Sequence, residues 1–210
     1  MPHMRKIFWP FLAVLCVCLA GAPAQARTSA EIAAVFSSGV TAYDAGDYQK
    51  AFQIWWDLRY EDLAAMRNLG MMLRKGLGTP KDPARAEEIY LRAADVGMPT
   101  AQADLADMYL KGELGAPDLS RALPLLAKAA AANHPGAQFQ LGEFYETGAP
   151  PLVPKDVDMA RQLYAAAARS GLPEAVARSQ FLGPPAAPPP AGPPAAGGQP
   201  GWMPAPPVTP

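Results

Sequence analysis

Ala101–Gly136 reads AQADLADMYLKGELGAPDLSRALPLLAKAAAANHPG, and the same pattern stands on both sides of it. Thirty-six residues upstream, Ala65, Gly70, Gly76, Asp82, Ala86, Ala94 and Gly97 occupy the places of Ala101, Ala106, Gly112, Asp118, Ala122, Ala130 and Asn133. Downstream, Ala137, Gly142 and Gly148 keep the period. Two extra residues in Ala149-Pro150-Pro151 then lengthen it to thirty-eight, and Asp156, Ala160, Ala168 and Gly171 continue the series. A fixed period of this size means a helical solenoid, in which each unit buries its apolar face only against its neighbours.

Every unit follows one grammar. A first helix is expected over Asp62 to Lys75, Thr100 to Lys111 and Gly136 to Thr147, and a second over Pro83 to Val96, Leu119 to Ala132 and Val157 to Ser170. Asp82, Asp118 and Asp156 stand where an N-cap carboxylate accepts backbone N–H bonds and meets the helix dipole. Gly97, Asn133 and Gly171 supply left-handed helix stops, and Pro99, Pro135 and Pro173 then open the next helix. Pro124 breaks the grammar and is expected to delay or kink the second helix of the middle unit. Gly70, Ala106 and Gly142 let helices approach closely, as do the alanine pairs 93–94, 129–130 and 167–168. Bulk comes from Leu69, Leu105 and Leu141, from Tyr43, Tyr109 and Tyr145, and from the register Trp55, Tyr90, Leu126, Tyr164.

Upstream lies a shorter unit. Thr28 and Glu31 form a capping box for a helix running to about Ala45, and Ala45-Gly46-Asp47 turns the chain. A second helix follows from about Tyr48 to Tyr60, with Ala51, Ile54, Trp55 and Leu58 on one face. Trp56, about 100° around the helix from Trp55, either points outward as a partner anchor or covers the open N-terminal end. At the other end, Pro173 to about Leu182 forms a closing helix.

Outside this region the composition changes. Arg5 and Lys6 precede an apolar run from Ile7 to Ala22, and Ala24-Gln25-Ala26 offers small residues for a cut before Arg27, so residues 1–26 read as a secretory signal peptide. A retained membrane anchor is the other reading, but the run falls short of the ~20 residues a spanning helix needs and contains Pro10. Cleavage removes two of the eighteen basic residues and none of the nineteen acidic ones, changing the net charge from −1 to −3. It also removes Cys16 and Cys18, the chain's two cysteines, so no disulfide framework is expected. The charge fits neither a nucleic-acid footprint nor a polybasic membrane surface. Residues 183–210, GPPAAPPPAGPPAAGGQPGWMPAPPVTP, lack a periodic apolar face and read as a disordered polyproline-like tail.

The tokens A-x-x-x-LG-x-x-Y-x-x-G, D-x-x-x-A-x-x-x-Y and AA-x-x-G closely resemble the Sel-one-like repeat family, relatives of the tetratricopeptide repeat with a longer loop inside the hairpin. The resemblance spans Ala65 to Leu172 and, more loosely, Ser37 to Arg59. It implies an all-α, right-handed superhelical solenoid of about four helix-turn-helix units (28–61, 62–98, 99–134 and 135–172) within a domain covering 27–182. It also implies an adaptor or regulator that holds other proteins of the bacterial envelope, in the periplasm. Some exported relatives carry a cysteine pair in each repeat, which this chain lacks.

An enzyme needs a nucleophile, an acid–base pair or a metal. His134 is the one imidazole of the exported chain and stands in an inter-unit turn, expected at the surface; no histidine pair or phosphate loop is present. No cofactor or metal is expected, and the chain reads as non-catalytic. The rival is a cell-wall-directed enzyme or hydrolase accessory built on the carboxylate pairs Asp104/Asp107 and Glu143/Glu146, each at a spacing of three on a helix. By resemblance to tetratricopeptide arrays, the first helix of each unit lines a concave groove. Its non-packing positions are Ser37 and Thr41; Arg67, Met71, Arg74 and Lys75; Ala103, Asp107 and Lys111; and Phe139, Glu143 and Glu146. That groove is basic in its first half and acidic in its second, suiting a peptide of opposite charge order.

Overall fold

The structure, a computed structural model, describes residues 26–184. The segment expected to be a signal peptide and the proline-rich segment 183–210, with Trp202 and Met203, lie outside the described residues except for Ala26, Gly183 and Pro184. Helices form where the repeat grammar places them: α1 Ser29–Asp44, α2 Tyr48–Asp57, α3 Leu63–Lys75, α4 Pro83–Asp95, α5 Pro99–Leu110, α6 Leu119–Ala131, α7 Pro135–Thr147, α8 Val157–Arg169 and α9 Pro173–Leu182. Each packs on the next in the chain. Ion pairs from α3 to α5, α4 to α6 and α7 to α9 show that odd-numbered helices form one row and even-numbered helices the other.

The caps set these boundaries. Asp82, Asp118 and Asp156 accept the N–H of Arg85, Arg121 and Met159 at 3.0, 3.0 and 2.9 Å. The Thr28–Glu31 capping box is complete, with each side chain bonded to the other residue's backbone. Between units, Asn133 adopts φ 60° where its counterparts Gly97 and Gly171 adopt 93° and 82°. Asparagine is among the few non-glycine residues tolerated there.

Two boundary expectations are corrected. Helix α6 starts at Leu119 directly behind Asp118, the same register as its counterparts, so Pro124 does not delay it. The carbonyl deprived of a partner by that proline belongs to exposed Ser120 in the first turn, where the loss is cheap. Helix α2 ends at Asp57 rather than Tyr60. Buried Leu58 anchors its end, and Asp62 caps α3 by accepting the Ala65 N–H at 2.6 Å, leaving residues 58–61 to turn.

The small residues have a sharper task than close helix approach. A Cβ placed on Gly39, Gly70 or Gly142 would lie 2.4, 2.6 or 2.8 Å from a ring atom of Trp55, Tyr90 or Tyr164. Each glycine is the floor under the aromatic ring of its hairpin partner. In the third hairpin, where the register carries Leu126 in place of a ring, the floor position is Ala106, and both are fully buried. Repeat-to-repeat variation is therefore correlated by volume, as a close-packed interior demands.

Two buried glutamines complete the joints between hairpins. Gln102 Nε2 donates to the Ala94 carbonyl and Gln138 Nε2 to the Ala130 carbonyl, both at 3.1 Å. His134 makes a third kind of joint. Half-buried rather than a free surface residue, it caps α7, its Nδ1 accepting the Ala137 N–H at 3.2 Å. Burial holds its pKa below the ordinary value; Asp104 opposes this and Arg67 assists it. A lowered folded pKa means that the unfolded chain takes up the proton first. The stability this contributes is present above about pH 6.5 and is lost as pH falls through the folded pKa, together with a cap worth ~1 kcal/mol. His134→Asn keeps an acceptor that does not titrate. Thermal melts between neutral pH and about pH 5 should show a flatter decline for that variant than for the native chain.

Candidate functional site

The odd-numbered row carries two clefts. The first, about 530 Å³ between α3 and α5, brings together the expected groove residues Arg67, Met71, Arg74, Lys75, Asp107 and Lys111, with Lys81, Tyr90, Asp104 and Glu113. The second, about 420 Å³ between α7 and α9, contains Phe139, Glu143 and Glu146, joined by Tyr164, Glu174, Arg178 and Phe181. Ala103 lies in neither lining, and neither do Ser37 and Thr41, whose own contact is a bond from the Thr41 hydroxyl to the Ser37 carbonyl at 3.0 Å.

In the first cleft the arginines of α3 are spent on the next unit. Arg67 Nε donates to Asp104 Oδ2 at 2.7 Å. Arg74 donates to Glu113 Oε2 and Asp107 Oδ2, each at 2.9 Å, and forms a second bond to Glu113 Oε1. Its side chain is 14 % exposed. Lys111 Nζ also donates to Asp107, at 2.8 Å. Burial pushes the Asp107 carboxyl up, but the bonds from Lys111 and Arg74 outweigh it and hold the group below the usual carboxylate range. The basic half of the groove is thus largely neutralised from within. Lys75 and Lys81 remain without an ion pair among the described residues.

The second cleft is built differently. Glu146 Oε2 accepts from Arg178 Nε at 2.8 Å and from the Tyr164 hydroxyl at 2.9 Å, and its other oxygen accepts from Arg178 Nη2. Burial opposes its ionisation, but Arg178 and Tyr164 prevail and lower its pKa. Glu143 has no such partner, and desolvation raises its pKa. Phe181 is 76 % exposed, beneath the Arg178 guanidinium at 5.2 Å. Sequence reasoning placed the closing helix but missed Arg178 and Phe181. Their spacing of three on α9, facing the carboxylates of the preceding unit, was the available signal.

The charge order expected of the groove persists only in the residues left unpaired, Lys75 and Lys81 at one end and Glu143 and Glu174 at the other. The carboxylate pairs fare unequally as acid–base candidates. Asp104 and Asp107 are each bound to arginine, and Glu146 is committed to Arg178 and Tyr164. Among the described residues no group of three or more His, Cys, Asp or Glu is placed to hold a metal, and no helix is long and apolar enough to cross a membrane.

Trp56 does not cover the open N-terminal end; half-buried, it lines a cleft between α2 and α4. It turns toward the second hairpin, stacked on Phe52 at 5.9 Å and lying beneath the guanidinium groups of Arg59 and Arg85 at 4.5 and 4.3 Å.

Three loop-bearing hairpins recur in register, each with a small residue, Gly70, Ala106 or Gly142, at the floor position, and a family model described as the Sel1 repeat matches residues 63–98, 99–134 and 135–172, just over half the chain. The chain belongs to the Sel1 repeat family. Sel1 repeats generally mediate protein–protein interaction and typically form non-catalytic scaffolds. The α1–α2 hairpin lies outside the three matches and has the tighter turn. Among solved structures, a Sel1 repeat protein from Oxalobacter formigenes is 34% identical with a TM-score of 0.65, the alignment covering 70% of this chain and 60% of that one. The protein c5321, a protective antigen of uropathogenic Escherichia coli strains displaying an SLR fold, is 22% identical with a TM-score of 0.64, covering 72% of this chain and 33% of that one. The Sel1 chain therefore spans less than two thirds of the length of either. No curated protein matches significantly.

Proposed function

We propose that this Sel1 protein is an exported, non-catalytic adaptor or regulator that holds a protein of a bacterial envelope complex along its odd-numbered helices. The observation that carries this reading is the pairing of two clefts on one row. Each has an apolar wall, Met71 and Tyr90 in one and Phe139 and Phe181 in the other, and the unpaired charges are basic at the first and acidic at the second. An extended or helical segment with a carboxylate end, a basic end and apolar residues between them is the matching ligand. Export rests on the basic residues, apolar run and small residues before Arg27, and the periplasm is the compartment they favour.

Charge reversal tests the groove without touching its structural ion pairs. Changing Lys75 and Lys81 to Glu, or Glu143 and Glu174 to Lys, should each weaken the captured partner by about tenfold, the scale of 1.4 kcal/mol. Reversing all four should not restore it, because the bound segment keeps its direction. Isothermal titration with the partner captured from periplasm checks this. Unchanged affinity in both variants would remove the groove from the account.

A further inference from the structure

Six of the ten described arginines are held by a carboxylate: Arg27, Arg67, Arg74, Arg121, Arg161 and Arg178. Arg59, Arg85, Arg92 and Arg169 are not, and the first three converge on one cleft of about 270 Å³ between α2 and α4, on the row opposite the groove. Aromatic faces hold them in place of carboxylates. Arg59 and Arg85 lie over Trp56 at 4.5 and 4.3 Å, and Arg59 and Arg92 lie over Tyr60 at 4.5 and 5.8 Å. Arg59 is further fixed by donating from Nη1 to the Trp56 carbonyl at 2.6 Å. The early end of α2 at Asp57 puts Arg59 and Tyr60 into the turn that overhangs α4.

Stacking on a ring orders a guanidinium and leaves part of its N–H edge for an anion, so these groups bind one with little further loss of freedom. Among the described residues Arg85 spends none of its edge on the protein, whereas Arg59 spends Nη1 on Trp56, and Arg59 and Arg92 both bond Tyr60. Beneath them the floor is apolar, formed by Met66 and Ile89, each 8% exposed. We infer that this outer cleft is a second recognition site, taking a protein segment that sets an aromatic or aliphatic residue beside two or three carboxylates. The side chain would lie on Met66 and Ile89, and the carboxylates would accept bonds from Arg59, Arg85 and Arg92. Charge complementarity favours an acidic peptide over a nucleic acid or an anionic membrane, because Glu88 stands among the three cations and the chain as a whole carries no basic excess. The site stands apart from the groove and does not rest on it.

The test is selection from a random twelve-residue display library on the full chain, with an Arg85→Glu, Arg92→Glu variant for counter-selection. Both residues are exposed, and helical circular dichroism checks the variant's fold; Arg85→Gln, Arg92→Gln serves as a milder second variant. Enriched peptides should carry clustered Asp and Glu next to an aromatic or aliphatic residue. By fluorescence anisotropy the best of them should weaken as salt is raised, and should weaken about tenfold or more on charge reversal. It should bind the Lys75→Glu, Lys81→Glu groove variant unchanged. Four results would each overturn the proposal: no enrichment over the counter-selected variant, enriched peptides without carboxylates, loss of binding in the groove variant, or tighter arginine-dependent binding of phosphatidylglycerol vesicles or a single-stranded oligonucleotide.

Discussion

Gly70→Ala lowers the stability of this Sel1 protein, although alanine in place of glycine inside a helix is ordinarily worth up to ~1 kcal/mol in its favour. The added Cβ falls 2.6 Å from the ring of Tyr90, which is 1% exposed and has no room to withdraw. Overpacking of this kind costs about 1–3 kcal/mol net. Tyr90→Leu alone leaves a void in the same layer and costs a similar ~2 kcal/mol. Together, however, the two changes reproduce the Ala106 and Leu126 combination that the third hairpin already uses. The double variant should therefore be more stable than the sum of the single losses by at least ~1 kcal/mol, as coupled neighbours are. Urea unfolding of the four proteins measures the coupling, and strict additivity would show that the glycine floor and the ring are independent.

Arg74→Met produces a loss of comparable size by another route. Its guanidinium is the partner the structure gives Glu113 and one of two cations on Asp107, and these carboxylate side chains are only 20% and 23% exposed. Removing one member of a buried ion pair leaves charge without compensation, at ~3–5 kcal/mol for full burial; the partial exposure here reduces that to about 2–3 kcal/mol. Adding Asp107→Asn and Glu113→Gln to Arg74→Met should recover most of the loss, because the stranded charges go with it. Arg67→Met should cost less, about 1 kcal/mol, because it strands one carboxylate rather than two and the Arg67 side chain is 40% exposed against 14% for Arg74. Equal losses at Arg67 and Arg74 in chemical unfolding would contradict this ranking.

The helices were legible because the signals that start and stop them are local. Asp82, Asp118 and Asp156 announce three N-caps, and Gly97, Asn133 and Gly171 announce three stops, without reference to any distant residue. Less was legible where one residue's role depends on another a period away. Gln102 and Gln138 carry no local signal, because their role depends on the carbonyls of Ala94 and Ala130 that the fold places against them. Arg67 and Arg74 read as free groove cations until α5 brings Asp104, Asp107 and Glu113 alongside. Opposite charges separated by about one period, as Arg67 and Asp104 are, were the sign that the groove neutralises itself. Trp56 was ambiguous for the same reason, since its neighbours Arg59 and Arg85 come from a turn and from the next hairpin. The glycine floors were seen as small but not matched to their rings, because that match lies between helices rather than along one.

The central claim is that a partner protein lies along the odd-numbered helices, and site-specific photo-crosslinking tests it most directly. A benzophenone side chain is placed at Met71, at Phe139 or, on the opposite row, at exposed Lys128 of α6. The account predicts that one partner is crosslinked from both 71 and 139 and not from 128. A partner crosslinked from 128 and from neither groove position would contradict it.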